Sequence, residues 1–169
     1  MSSPRTRTVG RPAGRPAEGA FRSLLRTLGL LERVMQPYFA RFGISGSQWG
    51  VLRQLHRAEG EGLEGLRLVD LSERLLIRPP SVTGVVDRLE RAGLVVRDGS
   101  PTDLRVKHVA LTNQGRHLVE RALEGHQEHI GRVMGCLSPD EQEQLHDLLA
   151  RLEDHLGGLL RPGPAGLND

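Results

Sequence analysis

LSERLLIRPPSVTGVVDRLERAGLVVRDG, residues 71–99, changes character three times, and those changes decide the fold. Leu71 and Leu75 stand one helical turn apart, so the spacing predicts a short helix from about Val69 to Leu76. The Pro79–Pro80 pair suits a first helical turn, and a second helix is predicted from there to Ala92, stopped by Gly93. A turn of about three residues separates the two. From Leu94 the pattern shortens to β-like runs. One strand is expected at 94–97 and another at 105–111, with a tight loop between them. Helix, short turn, helix, β-hairpin is the order of a winged helix-turn-helix.

Upstream, Phe21, Leu24, Leu25, Leu28, Leu31, Met35, Tyr38, Phe39 and Phe42 recur at three- and four-residue steps. They predict one long helix over 20–42 that Pro37 bends and Gly43 ends. Ser45 and Gln48 form an S-x-x-Q capping box for the next helix, which buries Trp49, Leu52 and Leu55 and ends near Ala58. EGEGLEG then reads as a loop, and 66–68 as a short strand. Downstream, Thr112 caps a long helix carrying Leu118, Val119, Leu123, Ile130, Val133 and Met134. SPDE at 138–141 opens a last helix with Leu145, Leu148, Leu149, Leu152, Leu156 and Leu159.

The expected organisation follows from these elements. Residues 1–18 form a disordered basic tail, 19–46 an N-terminal dimerisation helix, 47–111 the winged helix-turn-helix, 112–160 C-terminal dimerisation helices and 161–169 a flexible tail. The fold class is mainly α with a small antiparallel β wing. The long flanking helices carry more apolar surface than a core of about 60 residues can cover, and the simplest cover is a second copy of the chain, so a homodimer is expected.

Composition narrows the function. The net charge is +2 but uneven: residues 1–57 carry +8, residues 58–65 carry −3, residues 66–111 carry +2 and residues 112–169 carry −5. A basic front and an acidic back suit a polyanion on one side, or are two ordinary solvated faces. Of the 23 basic residues only Lys107 is a lysine, so a single Arg carries little weight by itself. Cys136 is the only cysteine, which leaves no intramolecular disulfide and no cysteine zinc site. Its neighbours Met134 and Leu137 predict a buried core thiol. No apolar signal segment and no membrane-length apolar run is present, so a cytoplasmic protein is expected. The chain has no Gly-rich phosphate loop, H-E-x-x-H or G-x-S-x-G, so neither an enzyme nor a cofactor is expected. In the tail, GRP at 10–12 and 14–16 is similar to the core of the minor-groove AT-hook. Val9 and Ala13 stand where the hook wants Arg, which leaves a purely electrostatic tail as the other reading.

The helix over 80–92 has two faces at 100° per residue. Val82, Val86 and Leu89 cluster on one, with Val85 at its border. Ser81, Gly84, Arg88 and Arg91 cluster on the other, with Thr83 and Asp87 between. A hydroxyl, a bare backbone and Arg on an outer face suit the major groove of double-stranded DNA, where Arg reaches guanine. Solvated surface arginines and a tolerated glycine are the alternative. In the hairpin, Arg97, Asp103, Arg105 and Lys107 concentrate charge near the loop. Asp103 and Arg105 are two residues apart and share a side when extended. Asp103 can therefore hold the Arg105 guanidinium rigid, as suits a narrow minor groove. Otherwise the pair is an exposed salt bridge worth ~0–1 kcal/mol.

With these residues in place, the sequence resembles the MarR family of bacterial transcription regulators. The resemblance is carried by Val82-Thr83, Val86-Asp87-Arg88-Leu89-Glu90, Gly93-Leu94-Val95, Arg97, Asp103-Leu104-Arg105 and Val109-Ala110-Leu111-Thr112 to Gly115, with SQWGVLRQL at 47–55 in support. It spans about residues 20–160 and implies a homodimer with interlocked terminal helices. The helix over 80–92 would enter a major groove, and the wing would reach the next minor groove through Arg105 braced by Asp103. Lys107 would meet phosphate. Leu104 departs from the family's D-R-R, which implies a lost backbone contact and a shallower salt dependence.

Many members of this family release DNA on meeting a small aromatic anion, an oxidant or a metal, and some have no ligand at all. Residues 1–60 contain no cysteine of the peroxide-sensing type. His126 and His129 lie three apart, with His117, His56 and Glu32 as further candidates, but no metal site is assigned. An aromatic ligand would be lined by Tyr38, Trp49, Arg33, Arg41 and Arg53, unless Trp49 is simply core. The rival from another class is a winged helix used for protein contact alone. It wants an apolar or acidic outer face on the helix over 80–92, and Ser81 and Arg88 argue against that.

Overall fold

The computed structural model describes residues 16–99 and 107–160. Its elements are α1 (Pro16–Ala40), α2 (Gly46–Gly60), β1 (Leu66–Arg67), α3 (Leu68–Leu75), α4 (Pro79–Arg91), β2 (Val95–Gly99), β3 (Lys107–Leu111), α5 (Asn113–Met134) and α6 (Pro139–Leu160). They form two compact units, the first up to Glu124 and the second from Gly125.

The first unit holds the winged helix-turn-helix. α1 starts at Pro16, inside the stretch expected to be tail. Pro is pre-organised for a first helical position, and Glu18 in the first turn suits the helix dipole. The rest of the tail lies outside the described residues. Pro37 falls in the last turn of α1, and Gly43, at φ +71°, turns the chain toward α2. There the capping box forms as the sequence indicates: the Ser45 hydroxyl accepts from Gln48 N–H at 3.3 Å, and Gln48 Oε1 accepts from Ser45 N–H at 2.9 Å. α2 extends to Gly60, so the first residues of EGEGLEG are helical.

The turn between α3 and α4 is closed by hydrogen bonds to Ser72. Its carbonyl accepts from Ile77 N–H at 3.2 Å, and its hydroxyl donates to the Ile77 carbonyl at 2.5 Å. Leu76 occupies the left-handed position at φ 53°, where glycine would be unstrained. α4 ends on Gly93, again at φ +71°, with Gly93 N–H donating to Glu90 and Leu94 N–H to Leu89. This Schellman pattern turns the chain straight into β2.

The sheet is antiparallel, in the order β1-β3-β2. Val95 pairs with Leu111, Arg97 with Val109 and Gly99 with Lys107, while Leu66 of β1 pairs with Val109. The core draws on every element of this unit. Val51, Leu52, Leu55, Leu71, Val82, Val86, Leu89, Val109 and Val119 are its most enclosed members. Phe39 stacks on Trp49 with ring centroids 5.6 Å apart. Val85, expected at the border of the α4 face, is fully part of the core.

The second unit holds the end of α5 and all of α6. Ser138 and Glu141 cap α6 reciprocally, at 2.8 and 3.3 Å. No described residue of α6 is buried. Cys136 is exposed, contrary to the expectation of a core thiol. The reason is local: α5 ends at Met134, so Cys136 sits in the turn before α6 and off the apolar stripe.

Candidate nucleic-acid interface

α4 is held by one face and offers the other. Val82, Val85, Val86 and Leu89 anchor it in the core, while Ser81, Arg88 and Arg91 are exposed. Thr83 and Gly84 are half-buried, and the Thr83 hydroxyl donates to the Pro79 carbonyl at 3.1 Å. That bond occupies the hydroxyl's proton and leaves oxygen lone pairs for a further donor. At Gly84 an added Cβ would meet only the Arg88 Nη1 atom, at 3.8 Å, so no packing demand of the fold explains the glycine. Arg91 curls back, its Nε donating to the Asp87 carbonyl at 3.2 Å.

The carboxylates of α4 are taken by the neighbouring strand. Arg97 of β2 donates through Nη2 to Asp87 Oδ1 at 2.5 Å and through Nη1 to Glu90 Oε2. The Arg97 side chain is 19% exposed. Burial opposes its charge, but the Asp87 hydrogen bond and the two carboxylate charges outweigh burial and raise its pKa. Arg97, one of the charged residues that the sequence places near the wing loop, thus has its guanidinium committed to two acids on α4.

The other wing residues are less described. Asp103 and Arg105 lie outside the described residues, and Lys107 is described only by its backbone pairing with Gly99.

Of the five residues expected to line a ligand site, Tyr38 and Arg41 meet, with the Arg41 guanidinium 5.9 Å from the Tyr38 ring centroid, while Arg33 and Arg53 lie apart on α1 and α2. Tyr38 and Trp49 are buried in the aromatic core. The Tyr38 hydroxyl donates to the Ala122 carbonyl, and burial, partly offset by Arg41, raises its pKa. Arg33 is exposed on α1, and Arg53 lies along α2 with Nη1 3.4 Å from His56 Nδ1. Arg41 borders a cavity. That cavity holds about 230 Å³ and is lined by Arg41, Phe42, Gln114, His117, Leu118 and Arg121. The signal was present but unread: Gln114, His117, Leu118 and Arg121 recur at three- and four-residue steps, one face of α5. Among the described residues no three His, Cys, Asp or Glu side chains gather as metal ligands. His129 Nδ1 instead lies 3.0 Å from Arg132 Nη2. No described helix is long and apolar enough to cross a membrane.

Comparison with known proteins agrees with this geometry. Residues 42–105 match the MarR family. The HTH-type transcriptional repressor YetL of Bacillus subtilis (strain 168) is 30% identical over 136 residues, covering 80% of this chain and 80% of that protein. Among solved structures, NadR in complex with 4-hydroxyphenylacetate superposes with a TM-score of 0.68 at 31% identity, covering 83% of this chain and 98% of NadR. The S. aureus MepR–DNA complex superposes with a TM-score of 0.70 at 25% identity, covering 80% of this chain and 97% of MepR.

Proposed function

Because this chain belongs to the MarR family, we propose that it is a sequence-specific DNA-binding transcription regulator, acting as a homodimer on a pseudo-palindromic operator. The observation that carries this reading is the division of α4. Its valines and Leu89 fix it to the core, its acids are drawn onto Arg97, and Ser81, Gly84, Arg88 and Arg91 are left on the outer side. A helix so divided fits a major groove, with Arg88 and Arg91 as the reading or phosphate-contacting cations and Gly84 admitting the backbone. The wing, with Arg105 braced by Asp103, reaches the adjacent minor groove, and Lys107 meets phosphate. The similarity to MepR, solved on DNA, supports this docking. The protein represses by occupying promoter DNA, works in the cytoplasm and carries out no chemical reaction of its own.

A second reading concerns release. The cavity beside Arg41 sets two guanidiniums and His117 against the apolar Phe42 and Leu118. Cation and apolar wall together suit a small aromatic acid, and about 230 Å³ lies below the ~300–1,000 Å³ of drug-sized pockets, so a single ring fits. NadR was solved with such an acid.

One experiment addresses both readings. Fluorescence anisotropy is measured on DNA from upstream of the protein's own gene and on a scrambled duplex, across a salt series. Tight binding to the native duplex alone is expected, with release on adding 4-hydroxyphenylacetate. Equal, steeply salt-dependent binding to both duplexes would leave only a basic surface. Binding that the acid does not weaken would remove the ligand reading and leave the DNA reading standing.

A further inference from the structure

We propose that Arg97 is a positioning residue for DNA recognition, locking the angle between α4 and the wing while keeping the acids of α4 away from its DNA-facing arginines. The proposal rests on the DNA-binding reading above.

Asp87 and Glu90 stand three residues apart on α4 and so lie on one face. Arg97 stands on β2, the strand that leads into the wing, and its fork takes one carboxylate on each terminal nitrogen. Three points are thereby tied, two on the helix and one on the strand. The chain itself joins α4 to β2 only through Ala92, Gly93 and Leu94, and Gly93 is at φ +71°. A glycine turn fixes direction weakly. A planar guanidinium between two carboxylates fixes it in two directions, and a lysine, as a single point charge, does not.

The second consequence is visible at Arg91. Asp87 lies four residues before Arg91, the spacing at which an acid and an Arg pair on a helix. Here the Asp87 carboxylate goes to Arg97, and Arg91 Nε reaches only the Asp87 backbone carbonyl, at 3.2 Å. Glu90 is occupied in the same way. Without Arg97, Asp87, Arg88, Glu90 and Arg91 would sum to zero charge on the segment meant for a polyanion. With it, both carboxylates are spoken for and the helix cations remain available. Arg97 is less exposed than either acid, at 19% against 47% and 39%, so it acts from beneath the surface rather than on DNA.

The test first selects an operator with the wild-type protein from a random duplex library. Arg97→Gln and Arg97→Lys are then compared with wild type on that operator and on a scrambled duplex. Arg97→Gln is expected to lose roughly tenfold in operator-over-scrambled preference, within the range for coupled neighbours. Its hydroxyl-radical protection of the minor groove should fade while methylation protection of major-groove guanines persists. Arg97→Lys, which keeps the charge, should not restore the minor-groove protection. Wild-type preference and footprints in both variants would overturn the proposal. So would a loss of both protections in step with the thermal midpoint, which marks a merely structural ion pair. A wild-type protein that enriches no sequence at all would instead overturn the DNA-binding reading itself, and this proposal with it.

Discussion

At the scale of single residues, Gly84 is the most informative position. Glycine in a helix interior costs about 1 kcal/mol against alanine. The space around Gly84 would accept a methyl group, the nearest atom being the mobile tip of Arg88 at 3.8 Å. On the proposed docking, the missing methyl lets the α4 backbone approach the groove floor. Gly84→Ala is therefore expected to raise stability by about 1 kcal/mol in a denaturant titration and to weaken operator binding. Stability and affinity rising together would show that the backbone makes no close approach. Sequence spacing was enough to put Ser81, Gly84, Arg88 and Arg91 on one face. It was silent on the partners of Arg97, because those of a strand residue depend on which helix packs beside the strand.

At the scale of elements, the junction of β2 and α5 decides whether the wing has a base. Leu94 O accepts from Thr112 N–H at 3.2 Å, and the Thr112 hydroxyl donates to Gly93 O at 2.7 Å while accepting from Gly115 N–H at 3.0 Å. This brings the first turn of α5 so near the chain at Leu94 that a Cβ on Gly115 would sit 2.0 Å from the Leu94 carbonyl oxygen. Both sides of that contact are backbone, so neither side can rotate away. Gly115→Ala is expected to cost about 3 kcal/mol or more, at the upper end for overpacking, read as a lower urea midpoint. An unchanged midpoint would mean that α5 can shift without loss. The Thr-x-x-Gly pattern was visible in the sequence as a helix cap. The reason for the glycine was not, since it comes from a residue 21 positions earlier in the chain, across the hairpin.

At the scale of the whole molecule, the apolar stripes of α1 and α6 remain to be covered. Phe21, Leu25 and Leu28 of α1 are exposed, as are Leu148, Leu156 and Leu159 of α6. Apolar burial contributes roughly 25 cal/mol per Å², so leaving two such stripes in water forfeits substantial stabilisation. A second copy of the chain recovers it on the proposed reading. Leu148→Asp combined with Leu156→Asp places charge on one face of α6 and should yield a monomer in light scattering, with operator affinity lost alongside. A monodisperse dimer of the double variant would refute this use of α6.

The sequence by itself determined the order of elements, the capped helix starts, the two faces of α4 and the apolar surplus of the terminal helices, because these depend on spacing along one segment. Only the tertiary structure decided that Arg97 turns inward, that Tyr38 and Trp49 belong to the core, and that the cavity is built from Arg41 and one face of α5. Each of those depends on residues distant in the chain becoming neighbours, and packing, not local periodicity, chooses them.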